Sequence, residues 1–266
     1  MNTPEHTRGC IQFTFFGVPT MIRPSSWLML LVLGSGFGQM KQDIMPTLIF
    51  VAAGMLCLLV HEYGHAFTGR ALGSGSATVE IASLGGVTAF THPPKTRPGH
   101  LLMVLAGPGA SLLLATVVAV GMSLQLGVEP LKGVVYALTV PLPFGVPQEL
   151  AEWCYRPVLM GFHTAGVGAL TIKCYHTLYF VAVWWSLFNL LPIHPMDGGK
   201  ALLLATANLR LTCMVSITVA ALLGVWGLTQ LSIFTLLISA WFVWINWRYL
   251  SLLRRESRGE HVTYEE

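Results

Sequence analysis

Residues 44–65 read IMPTLIFVAAGMLCLLVHEYGH, an uncharged apolar run that stops abruptly at His61-Glu62-Tyr63-Gly64-His65. A run of this length and polarity reads as a helix able to cross a bilayer. On a helix, residues four apart share a face, so His61 and His65 stand one above the other with Glu62 beside them. Ionisable groups closing an apolar helix are costly in lipid and usually mark a working site.

The rest of the chain agrees with a lipid solvent. Of 266 residues, 54% are hydrophobic and 10% charged, and the mean hydropathy is +0.65; ordinary soluble domains carry about 25% charged residues. Soluble globular, disordered and fibrous chains are therefore excluded. The net charge of +3, with no dense basic patch before the C-terminal tail, gives no footprint for nucleic acid. Five cysteines without a CxxC pair read as small buried hydrophobes. Glu5 interrupts any signal-peptide n-region, so insertion is expected to use segments that stay in the protein.

Charge-free stretches at 24–40, 44–60, 101–128 and 177–193, with 211–247 after them, predict about six transmembrane helices. The last stretch would be about 55 Å long as one helix, so it is expected to turn back at Gly227-Leu228-Thr229-Gln230. With the N-terminus in the cytoplasm, eleven of fifteen Lys and Arg fall inside, and Lys41, Lys132, Arg156 and Lys173 fall outside. Both termini are therefore expected to be cytoplasmic. Trp241, Trp244 and Trp247, followed by Arg254-Arg255, read as an interfacial anchor.

Two segments are not transmembrane helix. Residues 77–91 (ATVEIASLGGVTAFT) alternate around Leu84-Gly85-Gly86 and predict a short β-hairpin. Its edges must sit at the interface or in a protein-lined or wet cavity. Residues 129–173 carry Pro130, Pro141, Pro143, Pro147 and Pro157 and read as a loop with short helices. The expected architecture is thus an all-α polytopic membrane protein with a membrane-associated hairpin. It forms one domain over 1–266: a catalytic core at about 44–210, a helical hairpin at 211–250 and a basic tail at 251–266.

His61-Glu62-Tyr63-Gly64-His65 is an H-E-x-x-H pattern, in which two imidazoles hold a metal ion and the Glu serves a bound water as base. A catalytic zinc takes three protein ligands and keeps one position open. The chain has two aspartates. Asp43 reads as a solvated helix-start charge. Asp197 lies in Asn189-Leu190-Leu191-Pro192-Ile193-His194-Pro195-Met196-Asp197-Gly198-Gly199, where the prolines break the helix and the glycines free the backbone. On the topology above, this segment ends on the same side as His61 and His65. His194 is the competing third ligand, and Cys57, one turn before His61, reads as a packed thiol.

H-E-x-G-H on one membrane helix, with N-x-x-P-x-x-P-x-D-G after a later one, resembles the site-2 protease family of intramembrane zinc metalloproteases. Gly17-Val18-Pro19 running to Ser26-Trp27 resembles that family's opening strand and first span, and residues 77–91 its membrane-dipping hairpin. Ala106-Gly107-Pro108-Gly109-Ala110 resembles the small-residue stretch of its third helix. A His common in the family before the first span is replaced here by Arg23-Pro24-Ser25-Ser26. The resemblance implies that His61, His65 and Asp197 are zinc ligands and Glu62 the acid/base. Asn189 would help hold substrate or the oxyanion. It further implies endoproteolysis in or near a transmembrane segment of a single-span membrane protein, in a compact member without PDZ or nucleotide-sensing domains, controlled by a regulatory partner or other means.

Hydrolysis needs a locally unwound substrate, because a helix hides its carbonyls in hydrogen bonds. An exposed hairpin edge at Val79 to Ile81 or at Val87 to Phe90 could bind such a segment by strand addition. The alternatives are a divalent-metal carrier or sensor using the same His/Asp cluster, and a zinc protease acting on soluble or peripheral peptides.

Overall fold

In the computed structural model, the described residues are 9–37, 43–83, 85–142, 146–230 and 232–258. Arg8 and Lys41 of the charge distribution, Leu84 of the hairpin turn, Pro143 of the proline-rich segment and the end of the basic tail lie outside them. The chain divides into two compact units, Met1–Lys95 with Ala106–Leu187, and Thr96–Leu105 with Phe188–Glu266.

The first unit opens with β1 (Ile11–Phe15) and β2 (Val18–Ile22), then α1 (Pro24–Phe37) and α2 (Met45–Ala71). The expected hairpin follows as β3 (Ala77–Ala82) and β4 (Gly85–Phe90). Its alternation is real: along β3, Ala77, Val79 and Ile81 are buried while Thr78 is exposed and Glu80 and Ala82 are half-buried. It does not stand alone, however. The sheet has four strands in the order β1-β2-β3-β4, with β2 parallel to β3 and the other pairs antiparallel. Thr20, Met21 and Ile22 pair with Val79, Glu80 and Ile81, and Arg23 forms an ion pair with Glu80.

This corrects the expectation for strand addition at Val79 and Ile81. The N-terminal hairpin already occupies that side of β3, and both residues are buried. The outer edge of β4, with Val87 and Phe90, remains a sheet edge.

α3 (Arg97–Leu126) is followed by α4 (Pro130–Thr139), α5 (Gln148–Leu150), a π-helical turn at Ala151–Tyr155, and α6 (Arg156–Thr164). These short helices match the reading of the proline-rich stretch. α7 (Ala169–Asn189) comes next. One core of this unit gathers Ala53, Cys57, Ala115, Ala119, Tyr136 and Tyr179. Cys57 is fully buried there, as the packed-thiol reading expects. A Cβ on Gly64 would overlap Ala106 O and lie 2.7 Å from Ala110 Cβ, so α2 and α3 approach backbone to backbone, the usual role of small residues between membrane helices.

The second unit contains α8 (Asp197–Thr206), α9 (Leu209–Thr229) and α10 (Ile233–Glu256). The long apolar stretch does fold back, just past Gly227, around a core of Ile193, Ala220 and Phe242. Trp244 and Trp247 face outward with Arg248 and Arg254 over their rings, while Trp241 packs inward.

Among the described residues four helices, α2, α3, α9 and α10, are long and apolar enough to cross a membrane. α1 is shorter, and α7 begins early enough to include Lys173, Tyr175 and His176, which dilute its hydropathy. The expected count of six spans is thus matched for four. Leu102, Leu113, Val117 and Leu124 on α3, and Leu222, Val225, Ile233 and Leu237 on α9 and α10, are exposed. Apolar surface of that extent suits lipid rather than water.

Candidate active site

The H-E-x-x-H residues lie well inside α2, where the helix is already formed on both sides and the four-residue spacing is rigid. His61 and His65 are 3% and 8% exposed. Their Nε2 atoms are 3.2 Å apart and the rings meet edge to face. Two imidazole nitrogens bound to one tetrahedral zinc at 2.0–2.1 Å would be about 3.3 Å apart. The pair is therefore spaced as two ligands of a single ion.

Gly107 on α3 completes this half of the site by lacking a side chain. A Cβ there would overlap His65 Nε2 and lie 2.8 Å from His61 Nε2. The small-residue stretch does more than let helices approach, because it leaves room at the two Nε2 atoms.

Glu62 is also buried, at 4% exposed. Strand β4 covers it. Gly86, Thr88 and Phe90 are half-buried, while Val87 and Ala89 are exposed. A Cβ on Gly86 would overlap the Glu62 carboxyl group, so the carboxylate lies directly against the strand. Thr88 Oγ1 donates to Glu62 Oε2 at 2.7 Å and also lies 3.1 Å from Glu62 O. Sequence reasoning missed Gly86, Thr88 and the imidazole-facing role of Gly107. The alternation of residues 85–90 carried the signal for the first two, because it assigns Gly86 and Thr88 to one face.

In the second unit, Asp197 is 3% exposed and is the first residue of α8. Lys200 Nζ lies 3.4 Å from its Oδ1. The segment before it is pinned by α9 and α10. His194 N–H donates to Ser216 Oγ at 2.9 Å, and Asn246 Nδ2 donates to His194 O at 2.7 Å. The His194 ring meets Tyr249 edge to face at 5.3 Å, so α10 engages it. Asn189 is the last residue of α7 and is half-buried. Replacing Asn246 by leucine removes a donor from the part-buried His194 carbonyl and should cost about 1 kcal/mol. This is checked by the thermal midpoint of the detergent-solubilised protein, with a smaller fall in activity.

Two imidazoles and one carboxylate, from His61, His65 and Asp197, make a donor set that fits zinc. Residues 49–226 match the model of peptidase family M50. The chain belongs to peptidase family M50. It is thus a metallopeptidase and an integral membrane protein of the site-2 protease group, as its motifs and apolar helices had implied. A solved structure, the site-2 protease from Methanocaldococcus jannaschii, shares the fold. It is 19% identical, with 97% of this chain and 98% of that chain covered, at a TM-score of 0.53. No curated protein matches the chain. For this M50 chain the H-E-x-x-H motif lies within the matched region, as do strand β4 and Asp197.

Proposed function

We propose that the protein is a zinc metalloendopeptidase that cleaves a single-span membrane protein in or near its transmembrane segment, as a step of regulated intramembrane proteolysis. The observation that carries this reading is the imidazole pair at zinc-ligand spacing, with the buried Glu62 carboxylate next to it on a helix long enough to span the bilayer.

His61, His65 and Asp197 hold the ion. A zinc ion held there would supply Lewis acidity at the scissile carbonyl and lower the pKa of a water toward 7. Glu62 accepts the proton of the attacking water and returns it to the departing amine. Asn189 holds substrate or the developing oxyanion. The outer edge of β4, at Val87 to Phe90, takes the unwound substrate as an added strand. Both termini face the cytoplasm on the Lys/Arg distribution, and access is controlled by a membrane partner. A metal-carrier role would leave the Glu62 carboxylate and its Thr88 partner without a task.

The test is cleavage of a purified single-span substrate in proteoliposomes. Glu62→Gln should retain the metal and lower the rate by about 10²- to 10⁴-fold, the usual range for loss of a general base. Chelation should stop the wild-type protein, and added zinc should restore it. Wild-type cleavage rates in Glu62→Gln would end the proposal, and so would zinc flux without proteolysis.

A further inference from the structure

We propose that Thr88 is the positioning residue for the acid/base Glu62, so that the strand offered to substrate also sets the geometry of the carboxylate. This rests on the proteolytic reading above and adds a residue to it.

A glutamate side chain has three rotatable bonds, and a base that wanders by 1 Å can lose about 10²-fold in rate. Helix α2 fixes only the backbone of Glu62. Two features of β4 fix the rest. Gly86 has no side chain, which lets the carboxyl group lie against the strand. Thr88 presents one hydroxyl proton, and the carboxylate is a stronger acceptor than the neighbouring Glu62 carbonyl. At 2.7 Å, Thr88 Oγ1–H engages Oε2 and leaves Oε1 to exchange protons with the reacting water.

The placement follows from the strand. Thr88 pairs with Val79 across the interior of the sheet, and its side chain turns toward α2. Its backbone belongs to β4, which has β3 on one side and the sheet edge on the other. A substrate strand added at that edge would lie beside the residue that holds the base.

Thr88→Val keeps the β-branched shape and the strand preference but removes the hydroxyl. It is expected to lower kcat by about 10- to 100-fold with KM unchanged. Bound zinc and elution as folded protein should match the wild type. Thr88→Ser should recover kcat to within about threefold, because a serine hydroxyl can make the same bond. Thr88→Ala, which cannot overpack the sheet, is measured alongside and should behave as Thr88→Val does. The proposal is overturned if Val and Ala keep the wild-type kcat, if Ser is as impaired as Val, or if the loss appears in KM or in metal content. Glu62→Gln separates the two levels: if it is inactive while Thr88→Val is fully active, only the role of Thr88 fails. If Glu62→Gln is itself fully active, the proteolytic reading fails.

Discussion

Replacing Gly107 by alanine is expected to remove the metal and, with it, all measurable proteolysis, while leaving a folded membrane protein. Helix propensity alone argues the other way, since alanine inside a helix is better than glycine by about 1 kcal/mol. Space decides the outcome. The added Cβ would overlap His65 Nε2 and stand 2.8 Å from His61 Nε2. Imidazoles are side-chain ends and can swing away, so the fold should survive at a cost of about 1–3 kcal/mol for overpacking. Swinging away takes both nitrogens out of the 3.2 Å arrangement that suits one ion. Loss of a merely supporting partner typically costs about 10- to 100-fold in metal affinity, and here two of the proposed ligands move. Gly109, two residues on, has nothing within 4 Å of the equivalent Cβ. Gly109→Ala should therefore keep metal and activity. Metal analysis of the two purified variants, with a cleavage assay, checks this pair. A Gly107→Ala protein with full zinc and full activity would show that the imidazoles do not need that space.

The His61/His65 pair was legible in the sequence because it depends on one helix only. A spacing of four residues on a long apolar run fixes both side chains to one face, whatever surrounds them. Residues 85–90 were legible for a related reason, since period-two alternation is a local property of a strand. What the sequence withheld depends on partners distant along the chain. β3 is interior because β2, about sixty residues earlier, pairs with it in parallel, and nothing near Val79 or Ile81 announces that. Ile11-Gln12-Phe13-Thr14-Phe15 forms β1, and nothing in its own residues says which strand its hairpin will cover. Residues 177–193 look like a span when read alone. In the fold the helix starts at Ala169 and carries Lys173 and His176, and the Tyr136 hydroxyl lies 2.6 Å from His176 Nε2. The contacts of Gly107 and Gly86 were invisible for a further reason: what matters at a glycine is the neighbour that occupies its missing side chain.

The last expected result concerns Asp197, whose place at the start of α8 depends on how closely the backbone packs around it. Gly198 and Gly199 open α8 against the chain that leads into it. A Cβ on Gly198 would overlap the carbonyl oxygens of Leu190 and Leu191, and one on Gly199 would overlap His194 N and the Ile193 carbonyl. These are main-chain atoms, and the segment they belong to is held further on by Ser216 and Asn246, so they cannot yield as the imidazoles can. Gly198→Ala must therefore push the first turn of α8 away by roughly an ångström, beyond the ~0.5 Å tolerance of a working site. Asp197, the adjacent residue, moves with it. Gly198→Ala should therefore lose its zinc and fall to the activity of Asp197→Ala, although every proposed ligand is still present in its sequence. A competitive zinc titration of wild type, Gly198→Ala and Asp197→Ala in one detergent gives the comparison. Wild-type affinity in Gly198→Ala would mean that the start of α8 can shift without disturbing the carboxylate. Affinity matching Asp197→Ala would mean that this glycine is as necessary to the proposed third ligand as the aspartate itself.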